Sequence, residues 1–336
     1  MKRVTIKEVA REAGVSIATV SNALNNADVL HPKTKEHVLS VVEQLNYIPN
    51  YSGQNLRGKE TNAIGLFVPS LRGAFYGILA DSIHKECRKQ GYELYIYITE
   101  QETTIHNNII GHLVDGAVIL HEGVGSAIVE KLEKSRVPVV FLDKELKSPT
   151  ISSVVFDSFH EGEMAAKYLL SLGHRNLMHI YGVKDNFDSI QRYNGFLHTL
   201  RQASVFFSEE NLLVGSFERD AAYREMKRFL RKSRGLPDAI FASNDLSAIG
   251  CIEALLSEGI RIPDDVSVIG CDDIDICELL TPPITTIRTS FELQGVIAAQ
   301  KLIRMLQGRS QGDIEKIEGR LVIRGSCRMK DKQPES

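Results

Sequence analysis

From Asn62 onward, short apolar runs alternate with amphipathic stretches, and the alternation starts twice. Ala63–Val68, Leu94–Ile98, Ala117–Leu120 and Val137–Leu142 have the length and continuous apolar character of buried strands, and segments near 76–90, 104–113 and 126–135 have helical periodicity. A second series opens at Val154–Phe156, with strands near 177–181, 239–242 and 266–270. Strands separated by helices make parallel, doubly wound sheets. Two such series in one chain predict two similar α/β lobes with a cleft between them. In open parallel sheets, ligands bind at the carboxyl ends of the strands. A chain of 336 residues has room for this and for a further small domain.

The first sixty residues follow a different, all-α pattern. Thr5 with Glu8 three residues later is a capping box, and Ile6, Val9, Ala10 and Ala13 follow at helical spacing. Gly14 suits the left-handed position that ends a helix, and Ser16 caps a second helix running from about Ile17 to Leu24. That helix turns Val20, Ala23 and Leu24 inward and leaves Ile17, Ala18, Ser21, Asn22 and Asn25 outward. A third helix begins near Pro32, buries Val38, Val41, Val42 and Leu45, and stops at Tyr47-Ile48-Pro49. Two short helices around a glycine turn, closed by a third, make a helix-turn-helix, whose second helix enters the major groove. A plain three-helix bundle fits the same periodicity. The outward face of the second helix favours DNA, because Ser16, Ala18, Thr19, Ser21 and Asn22 are small and uncharged and let a helix sit deep in a groove. A solvated face would carry Lys and Glu.

Charge adds little. Residues 1–60 hold eight Lys and Arg against six Asp and Glu, a small positive lean within a chain of net charge −3. The hydrophobic share of 43% and charged share of 25% belong to a soluble globular protein, and no window offers the apolar run of a membrane span. The N-terminus runs into an amphipathic pattern without an apolar signal core, so a cytoplasmic location is expected. Cys87, Cys251, Cys271, Cys277 and Cys327 form no CxxC pair or zinc spacing, so they are read as reduced core thiols, with no metal and no cofactor.

The run Val4-Thr5-Ile6-Lys7-Glu8-Val9-Ala10, then Ala13-Gly14-Val15-Ser16, Ala18-Thr19-Val20-Ser21 and Leu24-Asn25, resembles the DNA-binding domain of the lactose/galactose repressor (LacI/GalR) family. Thr34, Val38, Leu45, Tyr47, Pro49 and Asn50 continue the match. The resemblance implies a helix-turn-helix domain over residues 1–49, a hinge over 50–61, and a periplasmic-binding-protein-like effector-binding and dimerisation domain over 62–330. Its N-lobe would span about 62–156 and 287–316, and its C-lobe about 157–286 and 317–330. Ile17, Ala18 and Asn22 then stand at base-reading positions. Ser16, Thr19, Ser21, Asn25 and Thr34 stand where the family touches or supports phosphates, and Thr5, Tyr47 and Asn50 are further expected DNA contacts. Asn22 replaces the family's usual arginine, and asparagine pairs with adenine rather than guanine. His31 stands where serine commonly caps the third helix; as a local cap or a phosphate contact it has two readings.

In the hinge, Leu56 takes the place of the leucine that the family wedges into the minor groove, with Gln54 and Asn55 beside it. Gly53 stands where alanine is usual. Glycine costs a helix about 1 kcal/mol, so the resemblance implies that Gly53→Ala tightens operator binding.

The match extends through Ala165–Leu170, Leu172-Gly173-His174-Arg175, Arg192-Tyr193-Asn194-Gly195-Phe196, Ala242-Ser243-Asn244-Asp245, Ile262–Gly270 and Thr281–Ile287. By position it places Ser70, Phe75, Tyr76, Asp143, Arg192, Phe217, Asn244, Asp272 and Phe291 on the effector. Arg192, Asp272 and Asn244 offer paired hydrogen bonds to adjacent hydroxyls, and the phenylalanines cover apolar ring faces. Each has a plainer explanation: Asp143 and Asp245 as helix caps, the phenylalanines as core. Thr289, where glutamine is frequent, and His121, placed to face the cleft, leave the ligand's identity open.

The function implied is a sequence-specific repressor of a carbohydrate-utilisation operon. It would be a homodimer without enzymatic activity or membrane partner, binding a pseudo-palindromic double-stranded operator under control of a sugar or sugar phosphate. Rivals are a global regulator controlled by a partner protein and a sugar-binding protein or carbohydrate enzyme without DNA function. The polar C-terminal segment shows no leucine heptads, so a coiled-coil tetramer is not expected.

Overall fold

The computed structural model describes residues 4–24, 30–47, 61–232 and 235–330. The chain divides into two compact units, Met1–Thr61 and Asn62–Ser336.

In the first unit, α1 (Ile6–Glu12), α2 (Ile17–Leu24) and α3 (Pro32–Gln44) enclose Val9, Ala10, Ala13, Val20, Ala23, Val38, Val41 and Tyr47. The capping box forms in full: the Thr5 N–H donates to Glu8 Oε2 at 2.7 Å and the Glu8 N–H to Thr5 Oγ1 at 3.4 Å. Gly14 takes φ +63°, which needs glycine's freedom, and lets the chain turn into α2. Ser16 caps α2 by accepting from the Thr19 N–H at 3.1 Å. His31 departs from the expected cap. It occupies the N-cap position, but its ring makes no capping bond. Its carbonyl accepts from the Thr34 and Lys35 N–H groups, and Pro32 has no N–H to satisfy.

The second unit contains two six-stranded sheets. In chain order its elements are β1 (Ala63–Val68), α4 (Ala74–Lys89), β2 (Glu93–Ile98), α5 (Glu102–Ile110), β3 (Gly116–Ile119), α6 (Ser126–Ser135), β4 (Val139–Phe141) and β5 (Ile151–Phe156). Then follow α7 (Ser158–Ser171), β6 (Leu177–Tyr181), α8 (Phe187–Gln202), β7 (Leu212–Val214), α9 (Arg219–Lys232), β8 (Ala239–Ala242) and α10 (Asp245–Leu256). The chain ends with β9 (Ser267–Asp272), α11 (Ile276–Leu279), β10 (Thr285–Arg288), α12 (Phe291–Leu306), β11 (Ile314–Ile317) and β12 (Arg320–Val322). The first sheet has the order β11-β5-β4-β3-β1-β2 and the second β12-β10-β9-β8-β6-β7. All pairings are parallel except β12 on β10.

Both sheets carry helices on both faces, so β1, β3, β4 and β5 are buried along their whole length instead of alternating. That is why their sequences read as continuous apolar runs. The chain passes between sheets three times: after β5, after β10 and after β11. Ile287 and Arg288 pair with the second sheet and Ile317 with the first, so two of these crossings fall one or two residues later than the family resemblance implies.

Candidate effector cleft and recognition helix

In each sheet the chain order reverses beside the first strand, between β1 and β3 and between β6 and β8. Such switch points open a crevice at the carboxyl ends of the strands. The residues that leave those ends are Ser70 after β1, His121 and Glu122 after β3, Asp143 after β4, Ser243 and Asn244 after β8, and Asp272 at the end of β9.

Arg192 reaches this crevice from α8, and a close helix crossing puts it there. Added Cβ atoms at Gly162 of α7 and Gly195 of α8 would each stand 1.9 Å from a backbone oxygen of the other helix, Arg192 O and Phe159 O respectively. Only glycine at both positions lets the backbones touch. The contact brings Glu161 against Arg192. The guanidinium, 3% exposed, donates from Nε to Glu161 Oε2 at 2.8 Å and from Nη1 to the Ser243 carbonyl at 2.9 Å. Its Nη2 lies 4.0 Å from Asp272 Oδ1. Burial raises the pKa of Glu161, and the Arg192 charge opposes that rise. Burial also raises Asp272, again against Arg192.

Behind this group stands His179, fully buried beside Phe241 and stacked on Tyr193 and Phe196. Burial pushes its pKa down to about 3, so the ring is neutral at any physiological pH. Its Nε2 lies 3.2 Å from the Ser243 hydroxyl, which steadies the residue whose carbonyl holds Arg192.

The first lobe supplies an aromatic wall and a buried acid. Phe75 lies 5.1 Å from Phe291 and 4.0 Å from Tyr76, ring centre to ring centre, and Phe156 meets Phe291 edge-on. Asp143 is 4% exposed, and neither carboxylate oxygen has a hydrogen-bond partner, so it caps no helix. Burial pushes its pKa up to about 7; Lys144 works against that rise, and Glu122 and Asp188 add to it. Burial raises the pKa of Tyr76, and the charges of Glu122 and Asp143 add to the rise. Across the cleft, Asn186 Nδ2 donates to Glu122 Oε1 at 2.5 Å, a direct bond between the lobes.

Other expected contacts are placed differently. Asn244 is the N-cap of α10: its Oδ1 accepts from the Ser247 N–H at 2.9 Å, and its Nδ2 donates to the Phe217 carbonyl at 3.0 Å. Phe217 takes φ +59° and lays its ring over Gly182, where a Cβ would stand 2.4 Å away. Ser70 Oγ accepts from the Arg72 N–H at 2.9 Å. Asp245 is not a cap either: it accepts from the Thr286 hydroxyl at 2.6 Å and the Ile274 N–H at 3.0 Å, tying the loops after β8 and β9 to β10. His121 is fully used within the first lobe. Its Nε2 donates to the Thr99 carbonyl at 2.9 Å and its Nδ1 accepts from the Gly123 N–H at 3.1 Å. Sequence reasoning missed Glu161, Glu122, Asn186, Asp188 and His179. A glutamate on the otherwise small and apolar inner face of α7 was the visible signal for the first.

In the first unit, Ser16, Ile17 and Ala18 are exposed on α2, with Ile17 at 41%, while Thr19, Ser21 and Asn22 are half-buried. Thr5, His31 and Thr34 stand at helix starts. Tyr47 contributes its ring to the core rather than standing on the open face. Asn25, Asn50, Gln54 and Leu56, with Gly53 and Asn55, lie outside the described residues.

Residues 5–50 match the family described as bacterial regulatory proteins, lacI family, and residues 166–327 match a periplasmic binding protein-like domain. The probable HTH-type transcriptional repressor ExuR of Bacillus subtilis (strain 168) is 31% identical over 307 residues, covering 90% of this chain and 92% of its own. The lac repressor dimer bound to operator and the anti-inducer ONPF superposes with a TM-score of 0.76 at 26% identity, over 97% of this chain and 100% of that one. A complex of the transcriptional regulator CelR with cellobiose gives a TM-score of 0.72 at 27% identity, over 96% and 100%. No helix among the described residues is long and apolar enough to cross a membrane. With a relative 31% identical over 90% of its length and a family model matched at its first helices, the chain belongs to the lacI family of bacterial regulatory proteins.

Proposed function

We propose that the protein is a cytoplasmic, homodimeric repressor of a carbohydrate-utilisation operon, and that a sugar or sugar derivative in the cleft controls its hold on a two-fold-symmetric operator. The observation that carries this reading is the outward face of α2. Ser16, Ile17, Ala18, Thr19, Ser21 and Asn22 form a small, uncharged surface on a capped helix, in a chain that also carries a cleft of converging polar groups. Ile17, Ala18 and Asn22 would read base edges. Ser16, Thr19, Ser21 and Thr34 would fix the backbone register. Arg192, Asp272 and Asp143 would hold hydroxyls, with Phe75, Tyr76 and Phe291 against the apolar faces of the ring. Nothing in the role calls for catalysis.

Control would follow from linkage. A ligand shifts the protein between two states only by its differential affinity for them, and that same factor appears in operator affinity. The Glu122–Asn186 bond is one contact whose strength depends on how far the lobes are closed.

The test is selection of binding sites from random duplex DNA with the full-length protein, followed by anisotropy titration of the selected site with and without candidate sugars. Enrichment of a palindromic site whose affinity a sugar alters supports the reading. Failure to enrich any site overturns the DNA role. A selected site indifferent to every sugar but released by a cell protein overturns the sugar control.

A further inference from the structure

The cleft receives Asp272 from a turn whose backbone has to be held in place. Asp272 takes φ +117° and Asp273 φ +60°, two consecutive non-glycine residues in a region that side chains rarely adopt. Such a conformation persists only where surrounding contacts over-determine it. The Ile274 N–H donates to Asp245 Oδ2 at 3.0 Å, and Asp245 is itself tied to the Thr286 hydroxyl of β10. The Thr289 N–H donates to the Asp272 carbonyl at 3.4 Å.

The strongest hold is on the Asp273 side chain, which is 3% exposed and lies between two arginines. Arg288 Nε donates to its Oδ2, and Arg324 Nη2 lies 2.6 Å from its Oδ1. Arg324 is fixed in turn, with Nη1 donating to the Ile284 carbonyl at 3.0 Å and Nη2 to Glu278 Oε1 of α11 at 2.9 Å. Charge-assisted bonds of this kind are stronger than the neutral bonds on the rest of the turn. Arg288 is also the last residue of β10 and pairs in register with Asp272. Only Thr289 and Ser290 separate it from α12. That helix begins with Phe291 on the aromatic wall of the first lobe and packs into the lobe's core through Ala298, Ala299, Leu302 and Ile303. Arg288 therefore joins the turn that carries Asp272 to a segment that crosses between the lobes.

Resting on the reading of this cleft as the effector site, we propose that Asp273 is a positioning residue for effector binding. Gripped by Arg288 and Arg324, it fixes the turn that sets Asp272 4.0 Å from Arg192, and through Arg288 it couples that turn to the β10–α12 crossing. A change in the angle between the lobes then shifts Asp272 against Arg192. An effector that fixes this pair biases the angle, because coupling between two sites is reciprocal.

Two variants release the grip. Arg288→Gln drops one charge at a side chain that is 41% exposed, and Asp273→Asn drops the other while keeping a residue that tolerates positive φ. Arg288→Lys restores a cation. Hydrogen-exchange mass spectrometry of the full-length protein reads the turn over 270–276 and the crossing over 286–292. Urea denaturation reads the Asn62–Ser336 unit, and calorimetry with glucose, galactose, ribose and cellobiose reads the cleft. With a charge-assisted bond lost, exchange in the turn and the crossing should be faster by about tenfold in both releasing variants, while β6 and β8 exchange as in the parent. A sugar that binds the parent should bind these variants about tenfold more weakly, and Arg288→Lys nearly as well as the parent. Unchanged exchange in the turn overturns the inference. Faster exchange spread evenly through the unit with a lowered urea midpoint also overturns it, since that marks a pair that only stabilises the fold. Exchange quickened in the turn alone removes the coupling to the crossing, and quickened exchange with sugar affinity intact removes the positioning role. A panel in which nothing binds the parent overturns the carbohydrate reading instead, while the exchange rates still decide whether Asp273 holds the turn.

Discussion

Removing the carboxylate of Glu161 isolates the charge on which the cleft is built. Glu161 is fully buried, Arg192 is 3% exposed, and the Nε to Oε2 distance is 2.8 Å. Glu161→Ala therefore leaves a guanidinium inside the protein with the Ser243 carbonyl and, 4.0 Å away, Asp272. Breaking a buried ion pair by deleting one partner costs about 3–5 kcal/mol, and the two remaining partners place the expected loss near the lower end, about 3 kcal/mol. Glu161→Gln keeps an acceptor in reach and drops the charge, for an intermediate loss of about 1–2 kcal/mol. Arg192→Met strands Glu161 instead, which can protonate, and the loss should be smaller than for Glu161→Ala.

The double change Glu161→Leu with Arg192→Met puts apolar groups of similar volume in the pair's place, and such replacements are close to neutral. Its stability should lie within about 1 kcal/mol of the parent, giving a coupling of at least about 2 kcal/mol between the sites. The assay is urea denaturation of the full-length variants, followed at the transition of the Asn62–Ser336 unit, because two compact units need not unfold in one step. The double variant should also lose response to any effector. Single-variant losses that simply add, or a Glu161→Ala loss under about 1 kcal/mol, would refute the buried pair as the organiser of the site.

Asp143→Asn should raise stability at neutral and alkaline pH. The folded pKa of about 7 lies above the ordinary 3.8, so the folded state keeps a proton that the unfolded chain has lost between those values. Stability of the parent therefore falls as pH rises through that window, by at most about 4 kcal/mol, and levels off above it. The variant should match the parent near pH 4 and exceed it at pH 8 in thermal scans; a parallel pH profile would contradict this. Gly162→Ala should destabilise the second unit by about 3 kcal/mol or more, since its Cβ would stand 1.9 Å from the Arg192 carbonyl oxygen, and denaturant midpoints decide it. Asn22→Arg should shift the selected half-site from adenine toward guanine at one base pair, with discrimination of about 1–3 kcal/mol, while sites unchanged after reselection would remove Asn22 from base reading.

Local chemistry was readable from the chain. Thr5 and Glu8 sit three apart because a capping box needs that spacing, and the box forms. Gly14 and Ser16 make the turn between the first two helices as expected, and the apolar runs at β1, β3, β4 and β5 are strands covered on both faces. Leu94–Ile98, expected to be buried, forms the edge strand β2 instead, with Tyr95, Ile96 and Ile98 exposed because no strand pairs with its outer side. His31 misled because a residue at a cap position need not use its side chain when the backbone carbonyl serves. Asn244 and Asp245 show the same ambiguity in reverse. A polar pair at the start of a helix looks like one cap and one ligand contact, and here Asn244 makes the cap while Asp245 ties three segments together.

The constellation at the cleft was less readable because its contacts join residues far apart in sequence. Glu161 and Arg192 are 31 positions apart, and they meet only because Gly162 and Gly195 let two helices touch. Yet the buried stripe of α7, Ser158, Glu161, Gly162, Ala165, Ala166 and Leu169, is written in the sequence with helical period. A glutamate in that stripe must have a partner, because a lone buried carboxylate is too costly to keep ionised. Arginine is the residue whose charge survives such burial. The same reasoning separates the acids of the site. Glu161 and Asp272 have Arg192 in the folded protein; Asp143 has no bonded partner among the described residues, which leaves its carboxylate oxygens open to a donor. An effector that set a donor against Asp143 would favour its ionised form, so the affinity of such a ligand would rise with pH up to about 7, the folded pKa, and level off above it; affinity flat with pH would remove Asp143 from the effector contacts.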